Sequence, residues 1–217
     1  MTQEPLVVYG RATSSNVQAL LWGLEELGLP YERLDFGEVY GGLDMPEFRA
    51  LTPHGQIPVL KVGDTAIWET PAILRYLATA HGDDSFWPSD PFERARVDMW
   101  AEWAKHSIAE AFTVPVFWNA VRTCRENRDE ALIARNLSAF EAELAKAERC
   151  LSQHAYLCGA SLSLADVQFG HVLFRYYDAG LAQADLTLVR SYYQRLSARP
   201  AYQRSVMVSY AALRDTF

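Results

Sequence analysis

The chain has 217 residues, half of them hydrophobic and 22% charged, enough for one large domain or two small ones with a real core. Its formal net charge of −7, with no Lys/Arg cluster against that trend, argues against a nucleic-acid surface. No apolar run approaches the roughly 20 residues needed to span a bilayer, so no membrane partner is expected. Cys124, Cys150 and Cys158 form no CxxC pair and cannot all be bridged, and the start from Met1 to Pro5 is polar and acidic, unlike a signal peptide. Together these features predict a cytoplasmic protein.

Taken in chain order, Leu6 to Tyr9 is a short apolar run suited to a buried strand, and Gly10 ends it. Val17, Leu20, Leu21, Leu24 and Leu27 then keep the spacing of a helix with one apolar face. Gly28 stands where a left-handed residue would stop that helix. Tyr31 to Phe36 alternates as a second strand, Gly37 to Gly42 reads as a loop, and Pro46 to Leu51 as one or two helical turns. Pro58 to Val62 and Thr65 to Trp68 flank Gly63-Asp64 as a hairpin. Thr70-Pro71 supplies an N-cap and a first-turn proline for a helix through Ala80. The order β-α-β, short α, β-β-α favours one parallel strand pair with a right-handed crossover, extended by antiparallel strands.

The stretch HGDDSFWPSDP, from His81 to Pro91, reads as a linker, and beyond it no convincing strand occurs. Phe92 to Ala120 carries a long helical pattern that Pro115 is expected to kink. Ile133, Leu137, Phe140, Leu144, Ala147 and Leu151 form a helical seam. Further helices are predicted from about Leu164 to Ala179 and from Asp185 to Ala198, with Pro200 opening a last one. The expected fold class is α/β plus all-α. Residues 1–82 form the first domain, 83–90 the linker and 91–217 the helical domain.

Four stretches at characteristic intervals carry a family resemblance: YGRATSSNVQALLWGLEELGLPYE (Tyr9 to Glu32), LTPHGQIPVL (Leu51 to Leu60), WETPAILRYL (Trp68 to Leu77) and SLSLADV (Ser161 to Val167). In this order the chain resembles the glutathione S-transferases, bacterial and serine-type. That implies a thioredoxin-like first domain, glutathione as co-substrate and a homodimer packed near Arg75 and Tyr76.

The loop from Arg11 to Asn16 leaves a strand and enters a helix, so free N–H groups and the helix dipole favour an anion there, a thiolate included. No cysteine stands in Ser14-Ser15-Asn16-Val17, so the sulfur must come from a ligand. By resemblance, Ser14 donates to the glutathione sulfur and lowers its pKa, with Asn16 a second candidate. On the residues alone, Ser14, Ser15 or Asn16 serves equally as the helix N-cap.

The resemblance also implies a cis proline after Ile57, whose backbone would pair with the cysteinyl unit of glutathione as an added strand does. Gln56 would hydrogen-bond the ligand with its side chain. Glu69 would pair with the γ-glutamyl ammonium, and Thr70 as N-cap would hold its carboxylate. His54, Arg11 or backbone N–H groups are left for the glycine carboxylate, because Gly41-Gly42-Leu43-Asp44 offers no base. Ser163 to Asp166 reads as a capping box, which gives Asp166 a structural role.

For the second substrate, Arg11, His106, Phe112, Phe117, Trp118 and Arg122 are the pocket candidates, and no metal is expected. The function these readings imply is attack of a glutathione thiolate on a small hydrophobic electrophile. The alternatives are glutathione-dependent reduction of disulfides or peroxides, and a non-catalytic binding protein that kept the fold.

Overall fold

The computed structural model describes residues 5–217; the expectation about Met1 to Glu4 lies outside them. Four strands, β1 (Leu6–Tyr9), β2 (Tyr31–Leu34), β3 (Val59–Val62) and β4 (Thr65–Trp68), form one mixed sheet in the order β2-β1-β3-β4. β1 and β2 run parallel, with Leu6 opposite Tyr31, while β3 runs antiparallel to both β1 and β4. The parallel pair requires a crossover, and α1 (Ser15–Glu26) supplies it; α2 (Pro46–Arg49) is the short helix expected before β3. Gly28 adopts φ +65° just past α1, and the Leu29 N–H closes on the Leu24 carbonyl at 3.0 Å, which ends the helix as its sequence predicts.

One apolar face was expected for α1, yet it is buried nearly all round. The sheet covers one side, while α3 (Thr70–His81), α7 (Leu164–Gly170) and α10 (Pro200–Ser205) cover the others. Gly23 permits this, since a Cβ there would lie 2.5 Å from Leu74 Cδ2 on α3. Trp22 is fully buried and meets the Tyr202 ring edge-on at 4.8 Å. Its indole N–H donates to Glu26, whose carboxylate also accepts from Arg199 Nε at 2.7 Å. A four-stranded sheet with its helices is therefore fused to a helical second domain through α1.

The second domain opens with α4 (Pro91–Trp103), capped by Asp90, whose carboxylate accepts from the Phe92 and Glu93 N–H groups. The chain stays helical to Arg122 through wide π-type turns at Ala104–Ala109 and Thr113–Arg122, separated by α5 (Glu110–Phe112). Pro115, where a kink is expected, lies within the second of these wide turns. A wider turn gives the proline ring room that an α-turn denies it, and the Pro115 carbonyl accepts from the Asn119 and Asn136 amides at 3.1 and 3.0 Å.

The seam read in α6 (Glu130–Leu151) is the buried one, from Ile133 to Leu151. The helix expected from Leu164 to Ala179 is instead split into α7 and α8 (Leu173–Asp178). The buried Tyr202 hydroxyl donates to the Gly170 carbonyl at 2.8 Å, taking an acceptor that a continuous helix would use for its own ladder. Asp166 is fully buried and accepts from the Leu157 and Ser163 N–H groups and from the Ser163 and Tyr192 hydroxyls. Burial raises its pKa and these hydrogen bonds oppose that rise. α9 (Thr187–Ser197) and α10 complete the bundle. No described helix is long and apolar enough to cross a membrane.

Candidate active site

The loop from Arg11 to Ser14 is fixed by its own backbone and by two distant side chains. Ser14 N–H donates to the Arg11 carbonyl at 3.1 Å, Gln18 Nε2 to the Ala12 carbonyl at 3.0 Å, and Arg175 Nη2 to the Thr13 carbonyl at 2.7 Å. Ser14 is the N-cap of α1 by backbone, with its carbonyl accepting from the Gln18 N–H. Its hydroxyl, however, makes no capping hydrogen bond, so it is not spent on the helix. Asn16 Oδ1 lies 3.2 Å from Lys105 Nζ. An ammonium can only donate, so the amide oxygen faces Lys105 and the NH₂ group is left to donate elsewhere.

Two clefts meet here. The first is narrow, about 30 Å³, and is lined by Asn16, Thr52, His54, Gln56, Ile57, Pro58, Trp68, Glu69 and Thr70. The Ile57–Pro58 peptide is cis, and the His54 ring meets Trp68 edge-on at 4.7 Å. Glu69 rather than Thr70 is the N-cap of α3, because its carbonyl accepts from the Ile73 N–H at 2.9 Å. Thr70 is therefore the first helical residue, a one-position correction to the expected cap. Glu69 holds φ +68°, a left-handed backbone that costs of order 1–3 kcal/mol for a residue with a side chain. Its carboxylate makes no capping bond.

The second cleft, about 330 Å³, shares Asn16, Gln56 and Ile57 with the first, so the two adjoin. Ser14 lies on its wall with Arg11, Thr113, Trp118, Arg122 and Arg175. Phe112 and Phe117, expected to line it, are instead core: Phe112 packs on Phe140 at 4.8 Å and Phe117 on Tyr210 at 5.2 Å. Their neighbours Thr113 and Trp118 take the wall, since successive residues of a helix point about 100° apart. The same rotation corrects His106. It stands in solvent between Glu102 and Glu110, and Lys105, one residue earlier, faces Asn16.

Arg11 Nε reaches Glu38 at 2.8 Å, and the Arg122 guanidinium reaches the other oxygen of the same carboxylate. The Arg122 guanidinium lies against the rings of Trp118 and Phe217, 4.7 and 4.1 Å from their centroids, which are themselves 5.5 Å apart. Arg175 is buried, and burial together with the Arg11 charge pushes its pKa down to about 10. Lys105, Glu38, Thr113 and Arg175 were not foreseen. Arg175 left one local signal, a charge placed among the apolar residues of Leu173–Asp178. Among the described residues, no group of three or more His, Cys, Asp or Glu side chains is gathered to hold a metal ion.

Comparison with known proteins agrees with this architecture. Residues 13–80 match the model for the glutathione S-transferase N-terminal domain, and residues 105–200 that for the C-terminal domain. Glutathione S-transferase GstB of Escherichia coli strain K12 is 31% identical over 94% of this chain and 98% of that protein. Glutathione S-transferase 4 of Zea mays is 32% identical, covering 93% of this chain and 92% of its own. A theta class glutathione S-transferase from Xanthomonas axonopodis pv. citri, solved with glutathione bound, superposes with a TM-score of 0.89 at 37% identity, over 95% of this chain and 99% of that one. With the sheet order, the helical bundle and the cleft at the start of α1 already in place, these likenesses make the chain a member of the glutathione S-transferase family.

Proposed function

We propose that this chain is a glutathione S-transferase that ionises the thiol of bound glutathione beside Ser14 and aims the thiolate into the adjoining cleft. The observation that carries the reading is the position of Ser14. It sits at the N-terminus of α1 with its hydroxyl free of capping duty, where the second cleft opens beside the first. A hydroxyl donor and the positive end of a helix both favour the charged sulfur and so lower the thiol pKa from about 8.5. Asn16 adds a second donor, oriented by Lys105.

In this reading the tripeptide lies along the narrow cleft. Glu69 meets the γ-glutamyl ammonium, and Thr70 with the first N–H groups of α3 meets the neighbouring carboxylate. The Ile57 backbone pairs with the cysteinyl unit and Gln56 hydrogen-bonds it. Arg11 is engaged by Glu38, which leaves His54 for the glycine carboxylate. The thiolate sulfur then bonds to the electrophilic carbon, the leaving group departs with its electron pair, and the thiol proton has already passed to solvent. Orientation beside the second cleft supplies the rest of the acceleration.

The Asn16–Lys105 pair favours a second reading, in which glutathione reduces a mixed disulfide or a peroxide at the same sulfur position. A panel of an aryl halide, an epoxide, a peroxide and a mixed disulfide, each with glutathione, separates the two. Calorimetry showing no glutathione binding at millimolar ligand would sink both. The glutathione-binding and helical domains would divide within residues 83–90. A homodimer would use the face around Arg75 and Tyr76, where Tyr76 and Met99 are exposed and Arg75 joins α3 to Asp98 and Glu102 of α4. A monomer mass at sedimentation equilibrium would count against it.

A further inference from the structure

We propose that the second cleft is built for an electrophile carrying its own negative charge: an aryl or alkyl substrate bearing a carboxylate or sulfonate. The proposal rests on the glutathione-transfer reading and narrows its substrate class. Three guanidinium groups, from Arg11, Arg122 and Arg175, stand on the walls of one cleft. Glu38 is the carboxylate that answers them, and it bridges only Arg11 and Arg122.

Among the described residues Arg175 has no carboxylate within ion-pair reach. Its Nη2 donates to the Thr13 carbonyl, and its Nε is buried with no hydrogen-bond partner. A guanidinium that is 3% exposed and lacks a counter-charge is costly, because a buried unpaired ion loses several kcal/mol of hydration. An anion entering the cleft would remove that cost.

Counting charges tells which anion. Three guanidinium charges against Glu38 leave two positive charges unanswered. A glutathione thiolate at Ser14 answers one of them. One remains for the second substrate, before Lys105 behind Asn16 is added. The geometry is suited to planar anions. Trp118 and Phe217 pack on adjacent sides of Arg122, their centroids 5.5 Å apart, while its Nε and Nη2 reach Thr216 and Glu38, which leaves Nη1 to donate to a further acceptor. Trp118 beside it offers an aromatic wall, and Thr113 a hydroxyl. A ring bearing a carboxylate can lie on the first and set its oxygens against a guanidinium fork.

The reaction on such a substrate is balanced as before. For a chlorodinitrobenzoate, sulfur bonds to the ring carbon, chloride leaves with the bonding pair, and the carboxylate is unchanged. The test compares the glutathione conjugates of chlorodinitrobenzene and of chlorodinitrobenzoate, which differ by that carboxylate alone, binding to the intact protein in calorimetry. The carboxylated conjugate is expected to bind on the order of 10-fold more tightly, the scale of one charge-assisted contact, with the advantage shrinking as salt is raised. Arg122→Gln and Arg175→Met should each reduce the ratio of the two affinities. The comparison on the unmodified protein stands even if a variant fails to fold. Equal binding of the two conjugates, with glutathione itself bound, overturns this inference alone. Failure of glutathione and both conjugates to bind overturns the transfer reading and this one with it.

Discussion

The two clefts that meet at Asn16 are built in opposite ways. The narrow one is assembled from short runs of neighbouring residues, His54 to Pro58 and Trp68 to Thr70, that reach the site through the turn before β3 and the end of β4. The wider one is assembled from Arg11, Arg122 and Arg175, which lie far apart in the chain and meet only because α1 is clamped between the sheet and the helical bundle. Each also depends on a glutamate with left-handed backbone, Glu69 at φ +68° and Glu38 at φ +51°. The Glu69 carboxylate makes no capping bond, whereas Glu38 spends its own on two arginines. The lesson is that the walls of the narrow cleft are a local property of the chain, and those of the wider one a tertiary property.

The sharpest break in that comparison is Ser14→Ala. Removing one donor from a developing or bound anion costs about 10²–10³-fold in turnover. The variant should lose thiolate absorbance near neutral pH while still binding glutathione through the narrow cleft. Unchanged absorbance would move the activating role to Asn16. Next comes Glu69→Gln, expected to weaken glutathione binding about 10- to 100-fold, the range of a charge-assisted hydrogen bond, while leaving the affinity ratio of the charged and neutral conjugates intact. A change in that ratio would mean that the clefts are not separable.

A smaller effect tests the packing behind the cationic cleft. Burial, aided by the Lys105 charge, holds His171 down to about 3. Its folded pKa is depressed, so between about 6.5 and about 3 the unfolded chain binds a proton that the folded imidazole refuses. Stability therefore falls with decreasing pH through that window, by up to about 1.4 kcal/mol per unit, and is unaffected by this group above it. Denaturant midpoints across the window, compared with those of His171→Asn, measure the slope; an imidazole signal titrating near its ordinary value would refute the assignment. The smallest expected change is Lys105→Met. It frees Asn16 to rotate and should raise the bound thiol's pKa by a few tenths of a unit, with about a 3-fold loss of turnover, as for one partly screened charge. Complete loss of turnover would promote Lys105 to a direct role.

Much of the frame was legible in the residues. The positions of β1 and α1, the stop at Gly28, the hairpin at Gly63-Asp64 and the seam of α6 all follow from contacts within a few residues along the chain. The narrow cleft was legible for the same reason, since its walls are continuous motifs. Where the reading slipped, a distant group intervened. The Tyr202 hydroxyl took the Gly170 carbonyl, where the expected single helix divides in two.

By itself, then, the sequence determined the alternation of strand and helix and the runs of residues that wall the narrow cleft, because hydrogen bonding and side-chain period act over a turn or two. Tertiary structure alone decided where the cations stand: Lys105 and not His106 against Asn16, and Arg175 buried in the wall of the second cleft. A helix fixes the angles between its own side chains, but only docking against a neighbour fixes which of them is buried and which charge is left without an answer.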